Sequence, residues 1–262
     1  MKISSLFAKK QAETETFSNY EEALKQCGNE GYENAALCRM IAKKTMKYKE
    51  ELLQQPYHIN AVQCYLALTI QNVLLQQKVS TLSIADFGGA CGAHYFETRR
   101  LIQNQIALKW NVIETPEMVK SAYDFNLNND ELNFVSNFDD IDADIFYLSS
   151  SIQYVPDPYT ILNKLIAKEY SYILFNRMML NTISQEDEII VQQSWLSANG
   201  PGPMPEGEVD KLVKYPHTTL SEQNFLKLFE QSYELVFRFD EASGKISGQS
   251  HISGGGFLFR KK

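Results

Sequence analysis

The sequence predicts an α/β fold: a doubly wound, mainly parallel sheet that ends in an antiparallel strand pair. Three observations carry that expectation. From Thr81 to Phe175, short apolar runs alternate with polar segments of helical spacing, and such alternation implies parallel strands joined by right-handed crossovers. The first run ends in Gly88-Gly89 and opens straight into a helical stretch. The last two runs, Tyr233 to Phe239 and Gly255 to Arg260, lie so close in sequence that only antiparallel pairing can join them. With 262 residues, 44% of them hydrophobic, the chain can bury one core. Single cores stop growing near about 250 to 300 residues, so one large domain is expected rather than two equal ones.

The elements follow in order. Residues 1–77 read as a helical extension or cap, with apolar residues at helical spacing in Leu37, Ile41 and Thr45, and again in Val62, Tyr65, Leu66 and Thr69. Ser18 and Glu21 have the capping-box pattern, Gly28 and Gly31 punctuate, and Pro56 separates a second helix from a third at about 58–77. This segment cannot bury its faces alone, so it is expected to cover a site, to form a homodimer interface, or both. Residues 78–262 read as the core. Its seven expected strands include Leu82 to Phe87, Leu108 to Glu114, Leu132 to Phe138, Ile145 to Ser149 and Tyr172 to Phe175. Helices are expected from Ala93 to Ile106, over 116–125 and 158–168, and from Ser221 to Gln231. Between 181 and 217 the rhythm breaks into a helix-like piece, Gln185 to Trp195, and a Pro/Gly loop, Ser197 to Gly207, which together suggest a lid or substrate insertion.

Composition excludes some functions. Lys and Arg total 25 against 32 Asp and Glu, a net charge of −7, and no basic block offers phosphates a footprint, so nucleic-acid partners are not expected. Cys27, Cys38, Cys64 and Cys91 form no CxxC pair, which argues against a zinc site or disulfide framework. The start, MKISSLFAKK, is too short in apolar residues for a signal segment, and no run reaches the about 18 needed to cross a bilayer. A cytoplasmic protein with reduced thiols and no membrane partner is the expectation.

The informative motif is Asp86-Phe87-Gly88-Gly89-Ala90-Cys91-Gly92, at the carboxyl end of the first core strand, where a Rossmann-like sheet binds its nucleotide. Glycines let the backbone turn sharply against a ligand, and the helix that follows presents free amide donors. The glycine spacing is a poor GxGxxG dinucleotide match, and no Lys-Ser/Thr follows as in a Walker A loop. An acid at the strand end suits a cationic amino group. A second acid, Glu114, ends the next strand, where a ribose diol is held. An amino acid joined to a nucleoside fits the pair, and S-adenosylmethionine is such a molecule. Each residue also has a plainer reading: Asp86 as a helix cap, Glu114 as a first-turn acid before Pro116, and Ser149-Ser150-Ser151 as turn chemistry.

On these residues the sequence resembles the class I S-adenosylmethionine-dependent methyltransferases, with Gly88 and Gly92 as outer glycines and Ala90 in place of the middle one. Together with Glu114-Thr115-Pro116, Ser149 to Tyr154, Asp157-Pro158-Tyr159, Asn176-Arg177 and Tyr215-Pro216, it is similar over residues 55–260 to an uncharacterised family of putative bacterial methyltransferases found among surface-polysaccharide and secondary-metabolite genes. The resemblance implies that Asp86, Gly88, Gly89, Ala90 and Gly92 line the methionine part of the cofactor, and that Glu114 binds the ribose. It implies adenine beside Asn137, Phe138 and Asp139, with Ser149 and Ser150 bordering the sulfonium and the acceptor. Gln153, Tyr154, Trp195 and Tyr215 are the expected acceptor contacts. The implied reaction is methylation, on oxygen, of a small polar molecule such as a sugar, sugar nucleotide or secondary-metabolite intermediate.

A hydroxyl acceptor gains from a general base, and of the four histidines His217, after Tyr215-Pro216, is the candidate. His94 falls in the first turn after Gly92, and His58 and His251 read as solvated. No metal is expected, since the acids Asp139, Asp140, Asp142 and Asp144 suit a solvated edge. Nitrogen methylation, a methyltransferase-fold subunit that binds without catalysing, and a nicotinamide oxidoreductase are the alternatives.

Overall fold

The computed structural model describes residues 15–28, 34–54, 61–102, 106–240 and 251–262. Gly31, Pro56 and His58, the start of the helix expected from 58, and the turn 241–250 fall outside the described residues. The N-terminal part contains a short strand β1 (Thr16–Phe17) and helices α1 (Tyr20–Lys25), α2 (Ala35–Glu51) and α3 (Ala61–Gln77). Then follow β2 (Thr81–Phe87), α4 (Ala93–Leu101), β3 (Ala107–Ile113), α5 (Pro116–Asp124), β4 (Leu132–Val135), β5 (Ile145–Ser149), α6 (Pro158–Lys168) and β6 (Tyr172–Asn181). The chain continues through β7 (Glu188–Trp195), β8 (Leu212–Ser221), α7 (Glu222–Phe229), β9 (Tyr233–Asp240) and β10 (Ile252–Lys261).

The core strands lie in the order β4-β3-β2-β5-β6-β10-β9, parallel from β4 to β6, with β10 antiparallel to both neighbours. This is the expected seven-stranded Rossmann-like sheet. The chain leaves β2 towards β4 on one side and returns to β5 on the other, so the order reverses between β2 and β5. Crevices for ligands open at the carboxyl ends of the strands at such a point.

The reason these segments are strands lies in their burial. β5 is buried at every position, and β2 at Leu82, Ile84, Ala85 and Asp86, as expected of parallel strands covered on both faces. One face packs Leu82, Ile84, Trp110, Val112 and Leu174 under α2, α3 and α4. The other packs Ala85, Phe146, Leu148, Ile173 and Phe175 against Leu162, Leu165, Phe225 and Phe229 of α6 and α7. Helix starts are fixed by side chains: Thr115, Asp157 and Ser221 each accept an amide of the first turn, with Pro116 and Pro158 at the first helical positions.

The expectation fails in detail at four places. Glu188 to Trp195 is a strand, not a helix: within the segment 181–217, expected as a lid or substrate insertion, β7 and β8 form an antiparallel hairpin with β1 on its outer edge. These three strands extend the seven to a ten-stranded sheet, joined through Leu180–Leu220 and Asn181–Ser221. β7 is half-buried along most of its length, so it lacks the two-period alternation that marks a strand. Pro216 is tolerated because β8 pairs with β6 only at Leu220 and Ser221 among the described residues, so its missing N–H faces no second ladder there. The first core helix stops at Leu101 and the third core strand at Val135. The first helix is capped by Asn19, whose side chain accepts the Glu22 amide, while Ser18 Oγ donates to the Glu22 carboxylate. All four cysteines are free.

Candidate functional site

A pocket of about 700 Å³ opens at the carboxyl ends of β2 and β5. Its floor is the glycine turn. Gly88 adopts φ +71°, and a Cβ there would sit 2.3 Å from the Ser151 Cβ, so the turn and the loop after β5 touch at a distance only glycine permits. Gly89 lies over the Asp86 carboxylate, where a Cβ would fall 2.4 Å from Oδ2. Asp86 itself is fully buried beneath the turn; it accepts the Trp110 indole N–H at 3.2 Å and faces His94 Nδ1 at 3.1 Å. It supports the turn from below and is off the pocket wall, as are Gly89 and Gly92.

Glu114 is on the wall. Its Oε1 accepts the Ala90 N–H at 3.0 Å and its Oε2 accepts the Thr115 N–H at 3.0 Å, so one carboxylate ties the glycine turn to the start of α5. Burial pushes its pKa up to about 7, against the pull of those two amides, and the negative Asp86 adds to the rise. Each oxygen has lone pairs left for a ligand hydroxyl.

Beside Glu114 the wall is apolar, with Met118, Phe87 and Phe138. Phe138 meets Phe87 edge-on at 5.9 Å and carries the Lys164 ammonium 4.6 Å over its ring. Asn137 reaches the wall and is held by Asp139, which accepts its amide at 2.9 Å. This part of the wall is apolar, ends in polar groups and lies next to a carboxylate.

The opposite end is polar. Ser149, Ser150, Tyr154 and Tyr215 line it, together with Arg177 of β6 and Gln192 and Ser194 of β7. Tyr154 donates to Gln192 Oε1 at 3.1 Å and Tyr215 to Ser194 Oγ at 2.6 Å. Ile41 of α2 and the 198–200 turn complete this end. The buried Lys44 of α2 fixes that turn by donating to the Ser197 and Asn199 carbonyls at 2.7 and 2.6 Å. Gln192 and Ser194 escape the sequence reading because their strand was read as helix; Ile41 because it carries only core periodicity. Trp195 is 53% exposed at the end of β7 and off the wall.

His217 is buried under Tyr154, ring centroids 5.2 Å apart, and does not line the pocket. Gln153 Oε1 accepts the Met179 amide at 2.9 Å, so its Nε2 is the donor facing His217 Nε2 at 3.0 Å. His217 therefore accepts at Nε2 and carries its proton at Nδ1, towards Thr219 Oγ1 at 3.4 Å. Burial lowers its pKa to about 4. Gln153, fully buried, serves the histidine and β6 rather than the wall. Among the described residues no group of three His, Cys, Asp or Glu could hold a metal ion, and no helix is long and apolar enough to cross a membrane.

No family model matches the chain, and no curated protein does. Similar solved structures include an S-adenosylmethionine-dependent methyltransferase from Clostridium acetobutylicum, at 11% identity over 74% of this chain and 89% of that one, TM-score 0.46. Another is the N-methyltransferase NodS of Bradyrhizobium japonicum in complex with S-adenosyl-L-homocysteine, at 11% over 83% and 98%, TM-score 0.45. A third is CalS10, an amino pentose methyltransferase from Micromonospora echinaspora bound to S-adenosylmethionine, at 10% over 80% and 100%, TM-score 0.45.

Proposed function

We propose that the pocket binds S-adenosylmethionine and that the protein transfers its methyl group to an oxygen of a small polar metabolite. The observation that carries this reading is the Glu114 carboxylate, tied to the glycine turn through the Ala90 amide and open to the pocket beside the Phe138 slot. A ribose diol donates two hydrogen bonds, and a carboxylate here accepts them. The volume of about 700 Å³ falls within the range of small-molecule and cofactor sites and leaves room for an acceptor.

When bound, the cofactor supplies a methyl group on a positively charged sulfur, which needs no further activation. What the chain supplies is placement. Glu114 holds the ribose, Phe138 and Met118 enclose the base, and the Gly88 turn lets the backbone approach the amino-acid part. Tyr154, Tyr215, Gln192 and Ser194 orient the acceptor. His217 acts in this reading as a positioning group under Tyr154 rather than as the base, since both its nitrogens are engaged behind the wall. An acceptor oxygen that needs positioning more than deprotonation fits such a site best.

Calorimetric titration tests the reading. S-adenosylhomocysteine is expected to bind, NADH not to bind, and Glu114→Ala to weaken the nucleoside by about tenfold or more, about 1.4 kcal/mol. Preference for NADH, or nucleoside binding indifferent to Glu114, would sink it.

A further inference from the structure

We propose that Gln192 and Ser194 form a pair of hydrogen-bond donors on β7 that selects a methyl-accepting substrate carrying a carbonyl or carboxylate oxygen. The assignment rests on the reading of the Glu114 end as the nucleoside site, and names what the opposite end recognises.

Position comes first. Gln192 and Ser194 are two residues apart on one strand and line the pocket, whereas Val191, Gln193 and Trp195 do not. Alternate side chains of a strand share a face, so the two groups stand side by side, about 7 Å apart along the backbone. They share this end with Tyr154 and Tyr215, and Gln192 lies directly across the ladder from Tyr215.

The hydrogen bonds decide which atoms are left to a ligand. A serine hydroxyl has one proton and two lone pairs. Ser194 Oγ accepts the Tyr215 hydroxyl at 2.6 Å and Asn199 Nδ2 at 3.1 Å, which fills both lone pairs. The Asn199 amide cannot be turned round, because the same Nδ2 donates to the Trp195 carbonyl at 3.0 Å. What Ser194 has left is its proton, and no group among the described residues accepts it. Gln192 is held in the same sense: its Oε1 accepts the Tyr154 hydroxyl at 3.1 Å, and its Nε2 has no partner among the described residues. An amide nitrogen of this kind offers two protons and no lone pair.

The groups that hold the pair are themselves braced. Asn199 is buried and its carbonyl accepts the Lys44 ammonium at 2.6 Å, and Tyr154 packs edge-on against Tyr215 at 5.3 Å. Donors fixed in place lose little freedom when a ligand arrives. No carboxylate competes for them, since among the described residues the one acid on the wall is Glu114 at the nucleoside end. A carbonyl or carboxylate brings lone pairs and no proton, so it can take both donors. A hydroxyl must also place its own hydrogen among groups that already donate. A substrate that fails to engage such donors leaves them unpaired once water is displaced, which is costly.

The test is a fragment titration of the full chain, with and without saturating S-adenosylhomocysteine, using sodium acetate, acetamide and propan-2-ol. Fragment affinities are read from the ligand NMR signals, and the contact from the Gln192 side-chain amide resonances. Acetate or acetamide is expected to bind at least about tenfold more tightly than propan-2-ol and to shift those resonances; whichever binds more tightly tells carboxylate from neutral carbonyl. Gln192→Glu keeps an oxygen for the Tyr154 hydroxyl and removes the donors, so it should erase the preference for acetamide, a neutral probe that charge repulsion does not explain. Ser194→Ala should weaken the preference and Ser194→Thr should retain it. Affinity for S-adenosylhomocysteine should stay within about twofold of the wild type in all three variants. Equal binding of the three fragments, no binding of any, a preference without a shift at Gln192, or one that survives Gln192→Glu would overturn the proposal. So would a tenfold loss of S-adenosylhomocysteine affinity in Gln192→Glu, since the donors would then serve the nucleoside's own carboxylate. If the wild type ignores S-adenosylhomocysteine but keeps a Gln192-dependent preference, the methyltransferase reading falls and the donor site stands.

Discussion

Glu114 and His217 are perturbed in opposite senses. The folded chain keeps a proton on Glu114 up to about 7 while an ordinary glutamate loses it near 4.5, so this residue makes stability fall as pH rises across that interval. The partial exposure of the Glu114 carboxylate moderates the effect. The folded chain keeps His217 neutral down to about 4 while an ordinary histidine protonates near 6.5, so this residue makes stability fall as pH drops from 6.5 towards 4. The two slopes oppose each other in the wild type, and Glu114→Gln should expose the second, with denaturant midpoints that decline more steeply below pH 6.5. In the wild type the affinity for S-adenosylhomocysteine should rise with pH through about 7 as the carboxylate ionises, and the same variant should flatten that dependence. His217→Ala should cost about 1–3 kcal/mol by stranding the Gln153 amide in the interior. Turnover of the folded fraction should survive that change; abolished turnover with an intact melting temperature would reinstate His217 as a base. At this scale the sequence identified residue types better than places. Asp86, Glu114 and His217 stand out as acids and a histidine in the right order, but which side of a wall each occupies is set by contacts with Trp110, Ala90 and Gln153, residues 24, 24 and 64 positions away.

The parallel elements were readable because each is short, apolar and followed by its own helix cap, so local pattern and tertiary role agree. The β7–β8 hairpin was not, since α1 packs on it while most of β7 stays half-buried, and Glu188, Gln192 and Gln193 give it the composition of a solvated helix. Its attachment depends on a residue the pattern treats as surface. Lys44, 1% exposed, lies inside the apolar face of α2 and donates to two carbonyls of the 197–199 turn. Lys44→Met keeps the side-chain volume and removes both donors. Amide exchange over residues 196–200 should then accelerate by about tenfold or more, with a loss of about 1–3 kcal/mol in global stability. Unchanged exchange there would show that the turn is held by the Lys43–Glu208 pair and apolar contact instead.

The pocket draws on α2, on the turns after β2, β3, β4 and β5, and on β6, β7 and β8, so a ligand that fills it should stabilise the molecule as a unit. At one hundred times its dissociation constant, a ligand adds about 2.7 kcal/mol. For a chain of this length that corresponds to about 5–10 °C in melting temperature, and differential scanning fluorimetry with S-adenosylhomocysteine should read it as one sharpened transition.

The position of β10 between β6 and β9 has a consequence for synthesis. The sheet is not laid down in the order in which the chain emerges: β9 has no partner among the strands made before it, because its neighbour is β10. A nascent chain that has reached Asp240 therefore presents two open edges, β6 and β9, with Phe175 and its aromatic neighbours Phe225 and Phe229 still lacking Phe257 and Phe259. Such a chain is sticky until residues 252–261 thread between the two edges, and ribosome stalling or truncation before that point would deliver an aggregating product rather than a smaller folded protein.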